Sequence, residues 1–134
     1  MTVSKKELYA LACRAREKSY CPYSSISVGA ALLAKSGKIY TGANIENSSF
    51  SPSVCAERVA FFSAINAGER EFEAIAVAGG VSGSEPKKTF PPCGVCRQVM
   101  TEFCSGDFKI ILSEEQTVLF SELLPLGFNK EFIK

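Results

Sequence analysis

An α/β fold, one sheet covered by helices on its faces, is what this sequence predicts, on three observations. Segments with apolar residues at helical spacing alternate along the chain with short strand-like runs. The 134 residues form one domain, 1–134, large enough to bury a single core. The Ala-Ile-Ala-Val-Ala run at 74–78 lies between two helical segments, as a buried interior strand does.

Leu8, Leu11, Ala12 and Ala15 recur at helical spacing behind Ser4, a natural N-cap, so a helix is expected over 4–19, ending before Cys21-Pro22. Two strands, 28–34 and 38–45, are joined by Lys35-Ser36-Gly37, a hairpin connection. A polar stretch, 46–53, leads into a second helix over 54–67. That helix is apolar on almost every side (Val54, Ala56, Val59, Ala60, Phe61, Phe62, Ala64, Ile65), so part of it is expected at a subunit interface. Gly68 reads as its C-terminal stop. The 74–78 strand is a candidate for parallel pairing, and 79–92, rich in Gly, Ser, Pro and Lys, reads as a surface loop. A third helix over 94–104, a strand over 108–112, and a short strand with one helical turn over 117–124 complete the chain.

A hydrophobic fraction of 46%, with 22% charged residues, is that of an ordinary globular domain. The formal net charge of +1 offers no basic footprint for a phosphate backbone, so a small partner fits better than nucleic acid. Residues 1–7 are charged and lack the apolar core of a leader peptide, and no apolar run approaches the roughly 18 residues of a membrane span. A cytoplasmic location is expected, where the six cysteines stay reduced and open to metal.

Two segments carry the chemistry: Cys55-Ala56-Glu57 and Pro92-Cys93-Gly94-Val95-Cys96. Cys55, Cys93 and Cys96 are three soft ligands, one short of the four that tetrahedral zinc takes, and a catalytic zinc leaves the fourth position to water. The chain has no histidine, so Glu57 is the natural proton carrier. Both cysteine segments fall at expected helix N-termini, where free N–H groups and the helix dipole favour thiolates. Three thiolates around Zn2+ leave one negative charge, and Arg58 is the nearest group able to offset it by donating to sulfur. Read alone, Arg58 is equally a solvated helix charge. Two other readings of the cysteines stand beside this one. Cys104 as a fourth ligand would make a structural zinc site, and Cys93-x-x-Cys96 alone would fit a redox pair. Cys13, Cys21 and Cys104 otherwise read as small buried fillers.

With these residues in place, the chain resembles the small cytidine deaminases that act on free nucleosides. The resemblance runs through Tyr20-Cys21-Pro22-Tyr23-Ser24, Val28-Gly29-Ala30-Ala31-Leu32-Leu33, Asn44-Ile45-Glu46-Asn47, Cys55-Ala56-Glu57-Arg58, Pro92-Cys93-Gly94-Val95-Cys96-Arg97-Gln98-Val99 and Glu122-Leu123-Leu124-Pro125. It also resembles the ligand-x-Glu and Pro-Cys-x-x-Cys signature of zinc nucleobase deaminases. The resemblance implies a three-layer α/β/α fold with a mixed five-stranded sheet, one zinc per subunit on Cys55, Cys93 and Cys96, and Glu57 as proton shuttle. The reaction it implies is hydrolytic deamination of cytidine or deoxycytidine in pyrimidine salvage, by a homotetramer with shared active sites. Asn44 and Glu46 would grip the ribose hydroxyls, Ala56 would meet the amide edge of the base, and Phe128 would reach a neighbouring subunit's pocket. Read alone, Asn44 and Glu46 are polar turn residues and Phe128 is terminal packing. Ile26 stands where this family usually has Phe, and Phe50 where Tyr is frequent, so both are expected to set substrate breadth. A deaminase of a modified cytosine nucleoside and a structural-zinc interaction protein remain as alternatives.

Overall fold

Ser4 opens the first helix as expected: its hydroxyl accepts from the Glu7 amide at 3.1 Å and pairs with the Glu7 carboxylate at 3.0 Å. The structure, a computed structural model, describes residues 3–134; Met1 and Thr2, the start of the charged N-terminal stretch, lie outside the described residues. Helix α1 (Lys5–Ala15) buries Leu8, Tyr9, Ala12 and Ala15 along one stripe, then tightens into a 3-10 turn, Arg16–Lys18.

Strands β1 (Ile26–Ala34) and β2 (Ile39–Ala43) form the expected hairpin, with Leu33 opposite Ile39 and Gly29 opposite Ala43. Gly37 turns the chain there with a φ of +93°, a conformation that favours glycine. Helix α2 (Ala56–Asn66) follows, and β3 (Phe72–Val81) returns antiparallel along β1. Helix α3 (Gly94–Phe103) crosses over to β4 (Lys109–Ile111), which runs parallel to β3. A short β5 (Thr117–Leu119) pairs antiparallel with β4 and leads into one helical turn, α4 (Phe120–Leu123). The sheet order is β2-β1-β3-β4-β5, a mixed five-stranded sheet.

Two apolar clusters sandwich that sheet. Leu8 and Ala12 of α1 pack on Ala31, Leu33, Ala76 and Ala78 on one face. On the other, Ala60, Phe61 and Ala64 of α2 and Met100 of α3 pack on Val28, Ala30, Leu32, Ile75 and Val77. A strand buried on both faces reads as continuous hydrophobics, which is why β1 carries Ala-Ala-Leu-Leu-Ala without alternation.

Two expectations need correction. The 79–92 segment is not all loop: Gly79, Gly80 and Val81 pair with Val28, Ser27 and Ile26, so β3 runs three residues further than expected. Glycines there read as loop, yet they are small because the α1-side loop and a ring crowd them. The candidate parallel strand is antiparallel to β1 and parallel only to β4. Helix α2 covers its sheet-facing stripe and leaves Phe62 half exposed in the single chain.

Gly42 fixes where α2 begins. A Cβ at Gly42 would lie 2.4 Å from the Ala56 carbonyl oxygen and 2.7 Å from the Ala60 amide nitrogen. Only a bare backbone lets the first turn of α2 rest directly on β2. That contact sets the depth of Cys55 and Glu57.

Candidate active site

Cys55 is the N-cap residue of α2 and Cys93 the N-cap residue of α3, with Cys96 one turn along α3. The two helix starts bring the sulfurs together: Cys55 Sγ and Cys96 Sγ each lie 3.6 Å from Cys93 Sγ. All three fall within 4.8 Å of one another. Tetrahedral zinc, about 2.3 Å from each sulfur, sets sulfur pairs about 3.8 Å apart, so the trio fits that ion.

Cys104 does not belong to the set. It follows the last residue of α3, about 15 Å along the helix from its start. Burial pushes its thiol pKa up, the opposite of what a ligand needs. The four-cysteine structural site is therefore excluded by geometry.

Cys55 is held down to about 5, chiefly by the hydrogen bond from Cys96, with Arg58 and Cys93 adding to it against the cost of burial. Cys96 is pushed up in turn, because it shares its proton with the Cys55 sulfur in a buried position. Arg58 Nη2 donates to Cys55 Sγ at 3.4 Å. That bond commits the cation to the sulfur cluster, while its Nε, also buried, has no partner among the described residues. Three thiolates on a dication carry net negative charge, and a guanidinium beside them is the expected compensation.

Glu57, the second residue of α2, is 4% exposed. Burial is the main force raising its pKa to about 7, helped by the Cys55 charge; its own backbone N–H opposes the rise. A carboxyl poised near neutrality can both take and return a proton.

Glu57, Cys55, Cys93 and Arg58 share a pocket of about 320 Å3 with Asn44, Glu46 and Ile26. The Asn44 amide is mostly committed to the scaffold. Its Oδ1 accepts from the Val28 amide at 2.8 Å and from the Ser19 hydroxyl, and its Nδ2 donates to the Ile26 carbonyl at 2.8 Å. Glu46 accepts from the Tyr23 and Ser24 amides at 3.0 and 3.1 Å and from the Ser24 hydroxyl, which lowers its pKa, the hydroxyl bond contributing most. An amide has two N–H donors and a carboxylate about four acceptor positions, so one N–H of Asn44 and one lone pair of Glu46 are left over.

The remaining sequence candidates lie elsewhere. Phe50 is outside this pocket; with a φ of 59° it projects into a neighbouring cleft, edge-on to Tyr23 at 6.0 Å. Ala56 is fully buried under Gly42. Phe128 is exposed, stacks on Phe132 at 5.8 Å, and is tied by its carbonyl to Gln98. Phe90 and Pro91 line the pocket without standing in any motif, and Ser24 and Val28, which do stand in motifs, line it without having been named as site residues. For Phe90 a signal existed: it is an aromatic in a polar stretch, three residues before Cys93. A larger groove, about 380 Å3 between α3 and the C-terminal segment, contains Cys104 but no cluster of metal ligands.

The zinc-binding region described for cytidine and deoxycytidylate deaminases matches residues 2–112. A cytidine deaminase of Sporosarcina psychrophila is 48% identical over 132 residues, covering 94% of this chain and 92% of its own. One from Halalkalibacterium halodurans is 45% identical over 133 residues, covering 96% and 97%. The crystal structure of cytidine deaminase from Burkholderia pseudomallei superposes with a TM-score of 0.80 at 42% identity, over 90% of this chain and 96% of that one. The Mycobacterium tuberculosis cytidine deaminase structure gives 0.84 at 31% identity, over 95% and 98%.

Proposed function

Because the chain belongs to the cytidine and deoxycytidylate deaminase zinc-binding family, we propose that it hydrolyses free cytidine and deoxycytidine to uridine and deoxyuridine, releasing ammonia. One observation carries the reading: three sulfurs at zinc spacing open onto a pocket whose buried carboxyl, Glu57, stands two residues from the first of them.

Zinc held by Cys55, Cys93 and Cys96 supplies the Lewis acidity that makes water a nucleophile at neutral pH. In the balanced reaction a C–O bond forms at C4 of the pyrimidine, the C4–N4 bond breaks, and the amine leaves as ammonia. Glu57 accepts the proton of the attacking water on a carboxylate oxygen, delivers it to N3 of the ring, and then carries the proton of the new C4 hydroxyl to the departing amine. Its burial keeps bulk water from exchanging those protons, and a pKa near the operating pH makes both directions of transfer accessible.

Asn44 and Glu46 grip the sugar. The N–H that Asn44 has left and the lone pair that Glu46 has left match a hydroxyl, which accepts and donates at once. Their other bonds lock both groups before substrate arrives, so little rotamer entropy is lost on binding. The wall at Ile26 packs on the base, Ala56 offers backbone at the start of α2, and Phe50 borders the approach.

The catalytic unit spans residues 1–134 and works as a homotetramer in the cytoplasm, serving pyrimidine salvage. Exposed Phe62, Val95 and Phe132, and Phe128 outside its own pocket, support subunit contacts. Six free cysteines suit a reducing compartment, and no helix among the described residues is long and apolar enough to cross a membrane.

The test is product formation from cytidine, followed by chromatography, for zinc-loaded wild type and Glu57→Gln. Wild type releases uridine, and a folded, zinc-bearing Glu57→Gln is slower by about 100-fold or more. A wild type that holds zinc but deaminates neither nucleoside would overturn the reading.

A further inference from the structure

Phe90 is the one aromatic side chain among the described residues that line the zinc pocket; the wall that β1 contributes, Ile26 and Val28, is aliphatic. Gly79, opposite Val28 in the β1–β3 pairing, lies on the same sheet face as that wall. A Cβ built at Gly79 would lie 2.6 Å from Cδ1 and Cγ of Phe90 and 2.9 Å from Cδ2. The ring therefore lies directly on bare glycine backbone, closer to the sheet than any side chain at position 79 would allow. It is only partly buried, packed on the core and lining the pocket.

The loop that carries Phe90 is held at both ends. The Lys87 amide donates to the Gly79 carbonyl at 2.9 Å. Arg16 bridges β1 to the loop, with Nε on the Ser27 carbonyl at 3.0 Å, Nη2 on Val81 at 3.1 Å and Nη1 on Ser84 at 3.0 Å. Beyond Phe90, Pro91 confines its backbone to extended conformations, and Cys93 ties the segment to the sulfur cluster. A flat apolar face is thus fixed within the pocket that holds Glu57.

We propose that Phe90, seated on Gly79, is the stacking platform for the pyrimidine ring, and so a base-binding residue of this enzyme. The proposal rests on the deaminase reading above and adds to it how the base is oriented. A planar heteroaromatic ring has a π-face to offer whatever its substituents, and an aromatic wall fixes the plane in which C4 approaches the sulfur cluster. The ring face is the same before and after deamination. Stacking therefore binds substrate, transition state and product alike, and its loss raises KM while leaving kcat nearly unchanged.

The experiment compares zinc-loaded wild type, Phe90→Ala, Phe90→Tyr and Gly79→Ala, with cytidine kinetics and calorimetric binding of uridine, each variant checked for zinc content and melting temperature. Phe90→Ala should raise KM and the uridine Kd together by about tenfold, with kcat within about twofold. Phe90→Tyr, which keeps the ring, should restore both. Gly79→Ala should raise KM with Phe90 still present, and adding it to Phe90→Ala should bring little further loss, because both act through one ring. A folded, zinc-bearing Phe90→Ala with unchanged KM and uridine Kd overturns the platform and leaves the deaminase reading intact. A zinc-loaded wild type that deaminates neither cytidine nor deoxycytidine overturns both.

Discussion

Glu57 concentrates the tension of the site in one side chain: it is a carboxyl in a nearly dry position, next to a cluster that itself carries charge. Its raised pKa is also a statement about stability. An acid whose folded pKa, about 7, exceeds its ordinary value of 4.5 favours the fold while protonated. That contribution is fully present below the unfolded pKa and is lost as pH rises through the folded one. Cys55 works in the opposite direction, since a thiol lowered to about 5 adds stability as pH rises. The Glu57→Gln variant separates the two. In excess chelator, the melting temperature of Glu57→Gln minus that of wild type should widen from about pH 5 to about pH 8. A gap that does not change with pH would mean Glu57 is already well solvated. The same residue scale explains the sugar grip: what matters at Asn44 and Glu46 is the single bond each has not yet made.

Among the elements, α2 decides most, because its first turn carries a ligand, the proton carrier and the compensating cation. Its seat is Gly42, and the atoms a Cβ would strike are backbone, which cannot step aside as a flexible side chain does. Gly42→Ala should lower stability by about 1–3 kcal/mol in urea unfolding and reduce zinc retention under chelator challenge. Wild-type values on both would show that α2 can slide without cost. Helix α3 does the complementary task by presenting Cys93 at its cap and Cys96 a turn later. Arg97 anchors that start, donating to the Pro92 carbonyl and to Leu123, both at 2.8 Å.

For the whole molecule, the zinc pocket opens between the first turn of α2, the start of β1 and the loop before α3, while Phe128 stays outside it. If subunits share their sites, Phe128 acts on a neighbour. Phe128→Ala should then raise KM by several-fold even though the residue lies outside the pocket of its own chain, with kcat and zinc content preserved. Sedimentation alongside kinetics decides the matter. A fully active monomer, or a Phe128→Ala tetramer with wild-type KM, would remove the shared site.

Much of this was legible in one dimension. Covalent spacing and local hydrogen bonding set Cys93 and Cys96 one helical turn apart, Ser4 at a helix start and Gly37 in a hairpin, and those depend on neighbours in the chain. The fold class followed from alternating periodicities, and the metal from a ligand set without histidine. Other features depend on residues far apart in sequence meeting in space. The length of β3 was set by pairing with β1, which outweighed the loop-like look of Gly79 and Gly80. Phe50, with a left-handed backbone, lies outside the pocket, and Cys104 was excluded by the length of α3. The chemistry could be read from the sequence because it needs particular atoms. The shape of the pocket, with Phe90 lying on Gly79, could not, because contact between residues 11 apart depends on where the sheet and the loop place them.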